Sequence, residues 1–471
     1  MRNILLFSLF FYTTLASCNN EDKIEVLSKT GPFEDYGEVL AFPGAEGFGR
    51  HASGGRGGEV YHVTNLDDSG EGSLRDAVSK PNRIVVFDVA GVINLESALV
   101  FSSNLTIAAQ TAPGDGIVLQ GNRVSFSGAK NVICRYLRVR MGRQGPDGKD
   151  AAGLASGSNM IFDHLSVTWG RDENFSINGS DAYDITIQNS IIGQGLQNHS
   201  CGGLMQTTKE HGITLFRNLY IDNKTRNPKV KGLNQFVNNV VYNWGNGAAY
   251  NMSGDSEGES LTAIEDNYFI VGPAVNWQEV RLEDGSLIVR NSVVSPTKPF
   301  IGANELFSTY CKKNFYDFDK NGALNGVEIT EANWAEHTSG VPTFLNTRPE
   351  IFPVIAAQTD AAAAYEWIVE QGGASLPARD EVDAYLIDEL ASLGGKGTII
   401  FDQRKTEQFP LGGVGTLKTG EAPVDTDKDG MPDWFEEKYG LDKNDASDAS
   451  RISNNGYSNI ENYIFTIGQV K

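Results

Sequence analysis

Between Ala41 and about Ser295 the chain repeats one pattern of apolar and polar positions. A Gly, Asn or Asp turn is followed by alternating apolar residues, then by Asn or another polar residue, then by a second short apolar run. The pattern begins at Asn131, Asn159 and Asp184 and returns at Gly212, Asn234 and Leu261. Equivalent Asn positions are Asn189, Asn218, Asn239, Asn267 and Asn291, with successive spacings of 29, 21, 28 and 24. A variable period in the twenties with very short strands predicts a parallel β-helix, in which each coil buries its inward side chains on the coils above and below. Asn suits the sharp turns because it tolerates left-handed backbone and bonds neighbouring main chain. Stacked Asn side chains can also bond one another, so this ladder is structural. A β-sandwich is the competing architecture, disfavoured by the irregular spacing and the lack of hairpin dipeptides. Residues 360–371 and 379–393 break the pattern: their apolar positions fall at helical spacing, and they are expected to pad the flank or end of the solenoid.

Composition changes the picture in three places. With 52 Gly in 471 residues, the chain favours turns and strands over helices, and one-dimensional growth escapes the size limit of a single compact core. At the start, Arg2, an apolar run from Ile4 to Tyr12 and Leu15-Ala16-Ser17-Cys18 match a bacterial lipobox. The run is too short to span a bilayer. Residues 1–18 are therefore expected to be a lipoprotein signal peptide, with Cys18 lipidated, and residues 19–40 a tether. An ordinary cleaved signal peptide is the alternative. Glu21-Asp22 resembles an export signal of surface lipoproteins, so the protein is expected to be exported to the outer membrane or cell surface, or else to be periplasmic or secreted. Any membrane contact runs through the lipid alone, and the chain is expected to act as a monomer. Three further cysteines, Cys134, Cys201 and Cys311, cannot all pair; without metal-ligand spacing they read as small buried apolar residues. A net charge of −21 argues against nucleic acid and anionic membranes. A polyanionic ligand also requires a local inversion of charge.

The acidic end of the chain carries metal-loop spacing. Asp425, Asp427, Asp429, Asp433 and Glu436 stand at positions 1, 3, 5, 9 and 12 of a loop, with Gly430 at position 6 where the backbone must turn sharply. Calcium takes six to eight hard oxygens, and this spacing wraps them round one ion. Asp317, Asp319, Asn321, Asn325 and Glu328 repeat the register with Gly322, though with fewer carboxylates. The expected organisation is thus a β-helix over residues 41–412 with flanking segments, and a small EF-hand-like calcium module over residues 421–471 whose ion is structural.

The middle coils hold a second polar concentration. Asn159 to Asn174 includes Asp163, His164, Arg171, Asp172 and Glu173, and one to two coils later come Arg226, Lys229 and Lys231. Stacking would set these on neighbouring rungs, where carboxylates beside cations make a metal-bridged anion site. Asp163-His164 reads rather as a satisfied structural pair.

From Ala41 to Gly247, and more weakly to about residue 400, the chain resembles the pectate lyases of polysaccharide lyase family 1. The motifs that carry the resemblance are Phe42-Pro-Gly-Ala-Glu-Gly-Phe-Gly, Gly72-Ser-Leu-Arg75-Asp-Ala, Asp163-His164, the Arg-x-Pro-x-x-basic motif from Arg226, and Asn238-Asn239-Val-Val-Tyr-Asn243. The resemblance implies an all-β, right-handed single-stranded parallel β-helix and a calcium-dependent lyase that cleaves α-1,4-polygalacturonate by β-elimination. It assigns catalytic calcium to Asp150 and Asp172, with Glu173 or Asn174 standing in where the family's further Asp is replaced by Ser176. It assigns the base to Arg226. Substrate contacts fall to Lys231, Lys229 and His199. Lys231 replaces the family's final Arg, and Cys201 stands where a substrate lysine is usual. Arg226 must lose a proton to act as a base; Lys229, Lys231 and calcium would favour its neutral form, so an alkaline optimum is expected. Competing readings are a pectin or rhamnogalacturonan lyase on the same fold, a hydrolase using Asp163, Asp172 and Glu173, and a non-catalytic pectin-binding surface lipoprotein.

Overall fold

The computed structural model describes residues 32–252, 259–296 and 298–468. The signal-peptide and lipidation expectations at residues 1–18 fall outside them. The described chain winds into a parallel β-helix with three long faces. One face stacks Glu59–Val63, Arg83–Phe87, Leu105–Ala108 and Lys130–Arg135, continues through the later halves of Ala152–Asp163 and Phe175–Gln188, and runs on to Phe307–Lys312 and Thr343–Phe344. The second runs from Gly91–Asn94 to Asn314–Asp317. The third runs from Leu99–Val100 through Leu204–Gln206 and Lys229–Lys231 to Thr338–Ser339. Within each coil the chain visits the second, third and first faces in turn, so consecutive strands of one face are joined through strands of the other two.

Side chains that point inward repeat on each coil and stack. Phe101, Phe126, Phe162 and Phe175 form a column with ring centroids 4.4, 4.8 and 5.0 Å apart. Both ends of the cylinder are plugged. Helix Leu74–Ser79, capped by Ser73, drives Leu74, Ala77 and Val78 into the core beside the first coils. At the far end Trp334 stacks on Phe300 at 5.0 Å and meets Phe344 at 5.1 Å.

The turn between the first and second faces corrects the expected Asn register. The ladder is Ser190, Asn218, Asn239, Asn267 and Asn314: Asn218 Nδ2 donates to Asn239 Oδ1 (3.0 Å), Asn239 to Asn267 (3.2 Å) and Asn267 to Asn314 (2.8 Å). Asn189 sits one residue earlier, in a left-handed column it shares with Tyr136, His164, Arg217, Asn238, Asp266 and Lys313 (φ 52–59°). Asn291 is not a rung at all. It lies in Leu287–Val293, which pairs antiparallel with Val275–Arg281 as an inserted hairpin, so the coil that reaches Asn314 is lengthened.

Helices Ala361–Gln371 and Glu381–Ala391, N-capped by Asp360 and Asp380, pack on the second face as the pattern predicts. A fully buried ion network fixes the second of them: Arg140 Nη2 donates to Asp380 Oδ1 and Oδ2 (2.7 Å each) and to Asp383 Oδ1 (2.9 Å). The acidic C-terminal segment lies against the outside of the first face, where Met431, Phe435, Ile460 and Ile464 cover Ile84 and Val86. Residues at the end of the expected tether join it. Phe33 is buried and its ring lies 4.8 Å from that of Tyr439, and Leu40 N donates to Tyr457 Oη (3.0 Å).

Candidate active site and acidic clusters

The third face begins each coil with a turn, and four successive turns stack to make the candidate site. Asp150 precedes Ala152–Asp163, Asp172 and Glu173 precede Phe175–Gln188, and Cys201 and Arg226 follow on the next two rungs. The backbone rungs are Ala151 N to Glu173 O (3.0 Å), Asn174 N to Cys201 O (3.0 Å) and Gly203 N to Arg226 O (2.8 Å). This ladder brings residues far apart in sequence within reach of one another. One carboxylate oxygen each from Asp150, Asp172 and Glu173 lies within 4.8 Å of the others. Glu173 is 3% exposed at its side chain, and burial together with the charges of Asp150 and Asp172 pushes its pKa up to about 8. Three carboxylates crowded in this way repel one another unless a cation joins them, and their hard oxygens fit calcium.

Arg226 Nη1 donates to Glu173 Oε1. Burial pushes the Arg226 pKa down, but Cys201, Glu173 and Asp172 outweigh it and hold the guanidinium above its ordinary value. Of these, Cys201 acts only as a thiolate, and burial raises its own thiol to about 12, so the carboxylates are the effective partners. Lys229 and Lys231 were expected to favour neutral Arg226; the contact made by Arg226 is instead with an acid. Arg226 itself has φ 56°, and its side chain reaches past the rung of Cys201 to Glu173.

Lys229 and Lys231 flank the core residue Val230 on one strand, so their side chains share the outer side of the third face. His199 is half exposed, with Nε2 3.0 Å from Asp172 Oδ1. Asn174 is fully buried; it accepts from Gly170 N (2.8 Å) and donates to Asn223 Oδ1 (2.8 Å), which leaves Glu173 as the third acid. Ser176 Oγ accepts from Leu204 N (3.2 Å) and serves the next rung. Asp163 lies elsewhere, fully buried on the first face, where Arg135 Nε (2.8 Å), Gln188 Nε2 (2.9 Å) and Asn189 Nδ2 (2.8 Å) donate to it. His164 and Arg135 hold its carboxyl well below the usual range against the penalty of burial.

Two surface hollows border the acids and a third opens beside Lys231. Asp150 lines one of about 210 Å³ with Arg123 and Ser176; Asp172 and His199 line one of about 430 Å³ with Arg143 and Arg171; Lys231 lines one of about 410 Å³ with Gln206 and Lys209. Arg171 belongs to the polar stretch read from the sequence, whereas Arg123 and Arg143 carry no signal of their own there. Together with Lys231 they put cations along this side of a strongly acidic chain.

The two metal-loop motifs part company. In the first, Asp425, Asp427 and Asp429 converge, and so do Asp429, Glu436 and Asp448. Asp433 turns away: its oxygens accept from Thr426 N and Oγ1 (2.8 Å each) at the start of helix Asp433–Tyr439. Asp448, which the spacing missed, takes the place expected of Asp433. In the second motif the chain forms a hairpin. Glu328 lies in strand Val327–Ile329 opposite Phe315, Asn321 Nδ2 donates to Asp319 Oδ2 (2.7 Å), and Asn325 N donates to Asp317 Oδ2 (3.1 Å). Among the described residues, Asp317, Asp319 and Glu328 form no converging group.

No model of a known protein family matches the chain. Individual relatives do. A probable pectate lyase C of Emericella nidulans is 52% identical over 425 residues, covering 90% of this chain and 91% of its own. One of Aspergillus flavus is 50% identical over 423 residues, covering 90% and 93%. Among solved structures, the thermostable pectate lyase PL 47 aligns over 72% of this chain and 98% of its own, at 14% identity and a TM-score of 0.48. Half of all positions shared along nine-tenths of both chains, on a β-helix whose carboxylates and arginine meet across stacked turns, place this chain in the pectate lyase family of polysaccharide lyases.

Proposed function

We propose that this enzyme is a calcium-dependent pectate lyase that cleaves α-1,4-polygalacturonate by β-elimination to unsaturated oligogalacturonates. The observation that carries the reading is Glu173, shared between the acid cluster and Arg226. In the reaction a proton leaves carbon 5 of a galacturonate, its bonding pair forms the double bond between carbons 4 and 5, and the glycosidic oxygen leaves carbon 4 with that bond's pair and takes a proton from water. The leaving proton sits beside a carboxylate, so charge builds on a group that is already an anion. Asp150, Asp172 and Glu173 would hold calcium, which supplies Lewis-acid neutralisation of that carboxylate when bound.

The chain's own residues do the rest. Arg226 accepts the proton, and its neutral form is scarce while Glu173 holds it charged, so the rate rises toward alkaline pH. Lys229 and Lys231 face the outer side of the third face, where sugar carboxylates along the chain would meet them. Lys231 supplies a point charge in place of a bidentate guanidinium. His199 steadies Asp172. The bordering hollows give room for more than one sugar unit. The reading also takes the protein to be exported, with residues 1–18 as the signal and Cys18 as its anchor.

The test uses protein lacking residues 1–18 and de-esterified polygalacturonate at alkaline pH. Ultraviolet absorbance of the unsaturated product should rise with calcium and stop with excess chelator. Reducing ends without absorbance would identify a hydrolase, and binding without either a carbohydrate-binding protein. Absorbance on methylated pectin that survives chelation would identify a pectin lyase.

A further inference from the structure

We infer that the C-terminal segment holds a second calcium ion in a closed cage made by Asp425, Asp427, Asp429, Glu436 and Asp448, and that this ion fastens the segment to the first coils of the β-helix. Spacing alone suggests a loop here, but it chooses Asp433 and omits Asp448. The geometry reverses both choices. Asp433 spends its two oxygens on Thr426. Asp448 arrives from the turn after the helix, anchored through Oδ2 by Asp442 N (3.0 Å), which leaves Oδ1 pointing into the cluster.

The case does not rest on acidity alone. Asp429, Glu436 and Asp448 are 3%, 0% and 1% exposed. Both oxygens of Asp427, both of Glu436, Asp429 Oδ2 and Asp448 Oδ1 are buried with no hydrogen-bond partner. Unpaired buried carboxylates cost several kcal/mol each unless a cation meets them. Among the described residues no Lys or Arg pairs with Asp427, Asp429, Glu436 or Asp448; Lys443 turns outward to Glu437. Asp425 is ordered differently: its oxygens accept from Lys428 N (2.7 Å) and Gly430 N (2.9 Å), which closes the loop round the cluster. Six orphan oxygens, a Glu free to bind through both of its own, and hard donors throughout fit calcium; magnesium needs a smaller octahedron and keeps its waters.

The site's position gives it a task. A Cβ at Gly430 (φ +91°) would lie 2.8 Å from Val60 Cγ1 and 3.1 Å from Ile460 Cδ1, so the loop's turn is pressed between the first strand and the last helix. Met431 and Phe435, directly behind the cage, cover Ile84 and Val86 on the first face. Ordering the loop round an ion therefore orders the apolar lid over the opening coils.

Calcium titration of the protein from residue 19 onward, followed by calorimetry, thermal melting and limited proteolysis, tests this without reference to lyase activity. In Asp448→Asn the tight calcium site should weaken at least about tenfold, the rise in Tm on adding calcium should shrink, and protease should cut after about residue 420. Asp433→Asn should bind calcium as the parent does. Asp150→Asn should keep the tight site, which separates it from the catalytic cluster. Glu436→Gln provides a second cage variant should Asp448→Asn not fold. Equal calcium affinity in parent, Asp448→Asn and Glu436→Gln, or loss of the site in Asp433→Asn alone, would overturn the inference.

Discussion

The two carboxylate clusters are built from the same chemistry and differ in their neighbours. At Asp150, Asp172 and Glu173 a guanidinium already touches one acid, a half-exposed histidine touches another, and hollows open on the surface. At Asp427, Asp429, Glu436 and Asp448 no Lys or Arg among the described residues pairs with an acid, six carboxylate oxygens are shut away from water, and the nearest ring nitrogen, His62 Nε2, stays 4.0 Å from Asp425 Oδ2. An ion in the first place would keep coordination positions for a ligand that comes and goes, while one in the second would be enclosed on all sides. The cation beside Glu173 is therefore as informative as the acids. On the proposed reading it marks the cluster where charge is exchanged during the reaction, in contrast to the cluster inferred to hold a fixed ion.

This contrast can be broken by experiment. The largest effect should come from Arg226→Ala, which is expected to lower kcat on the order of 1000-fold in the absorbance assay while leaving Tm near the parent's; retention of more than a tenth of the rate would remove Arg226 from the proton transfer. Next is Asp150→Asn, expected to cost about 100-fold at low calcium and to be partly rescued at high calcium, with melting unchanged. Asp448→Asn should show the opposite split, losing thermal stability but keeping kcat at a temperature where it stays folded.

Asp163→Asn should destabilise the fold by about 3 kcal/mol, since it strips the partner from Arg135. Its pH signature follows from sign. The folded carboxyl titrates below its unfolded value of about 4, so its contribution is complete above that pH and is lost as pH falls toward the folded value. The gap between parent and variant should thus stay constant from pH 7 to about pH 5 and begin to narrow as pH falls to about 3. A gap still constant at the lowest pH would mean the residue acts by shape alone. Smallest is Asp319→Asn in the hairpin motif, expected to change stability by less than about 0.5 kcal/mol and calcium stoichiometry not at all.

The faces of the β-helix were legible because strand period and turn residues repeat, and stacking converts that repeat directly into inward and outward positions. Register was less legible. Asn189 and Asn218 look equivalent in sequence, yet one occupies the left-handed position and the other the ladder, and only pairing between coils distinguishes them. The hairpin that absorbs Asn291 hides in the same alternation of apolar residues as a true coil. Of the two metal-loop motifs, the spacing is equal but the sequels are not. After Asp429 a helix carries Glu436 back to the cluster, whereas after Asn321 a strand carries Glu328 to the far side of a hairpin. Asp448 was beyond reach because it approaches through tertiary folding, twelve residues past the motif's end. The Glu173–Arg226 contact was equally hidden, since it depends on how two rungs align.

A stack of similar layers has no natural length. Every coil offers its successor an open row of backbone donors and acceptors, so two such molecules could continue one another end to end. What keeps the protein finite is the pair of stoppers, Leu74, Ala77 and Val78 at one end and Trp334 at the other. They give the solenoid its chain-terminating ends in the sense that a polymer chemist would use the term. Removing Trp334 should therefore be read out as fibre length as well as melting temperature.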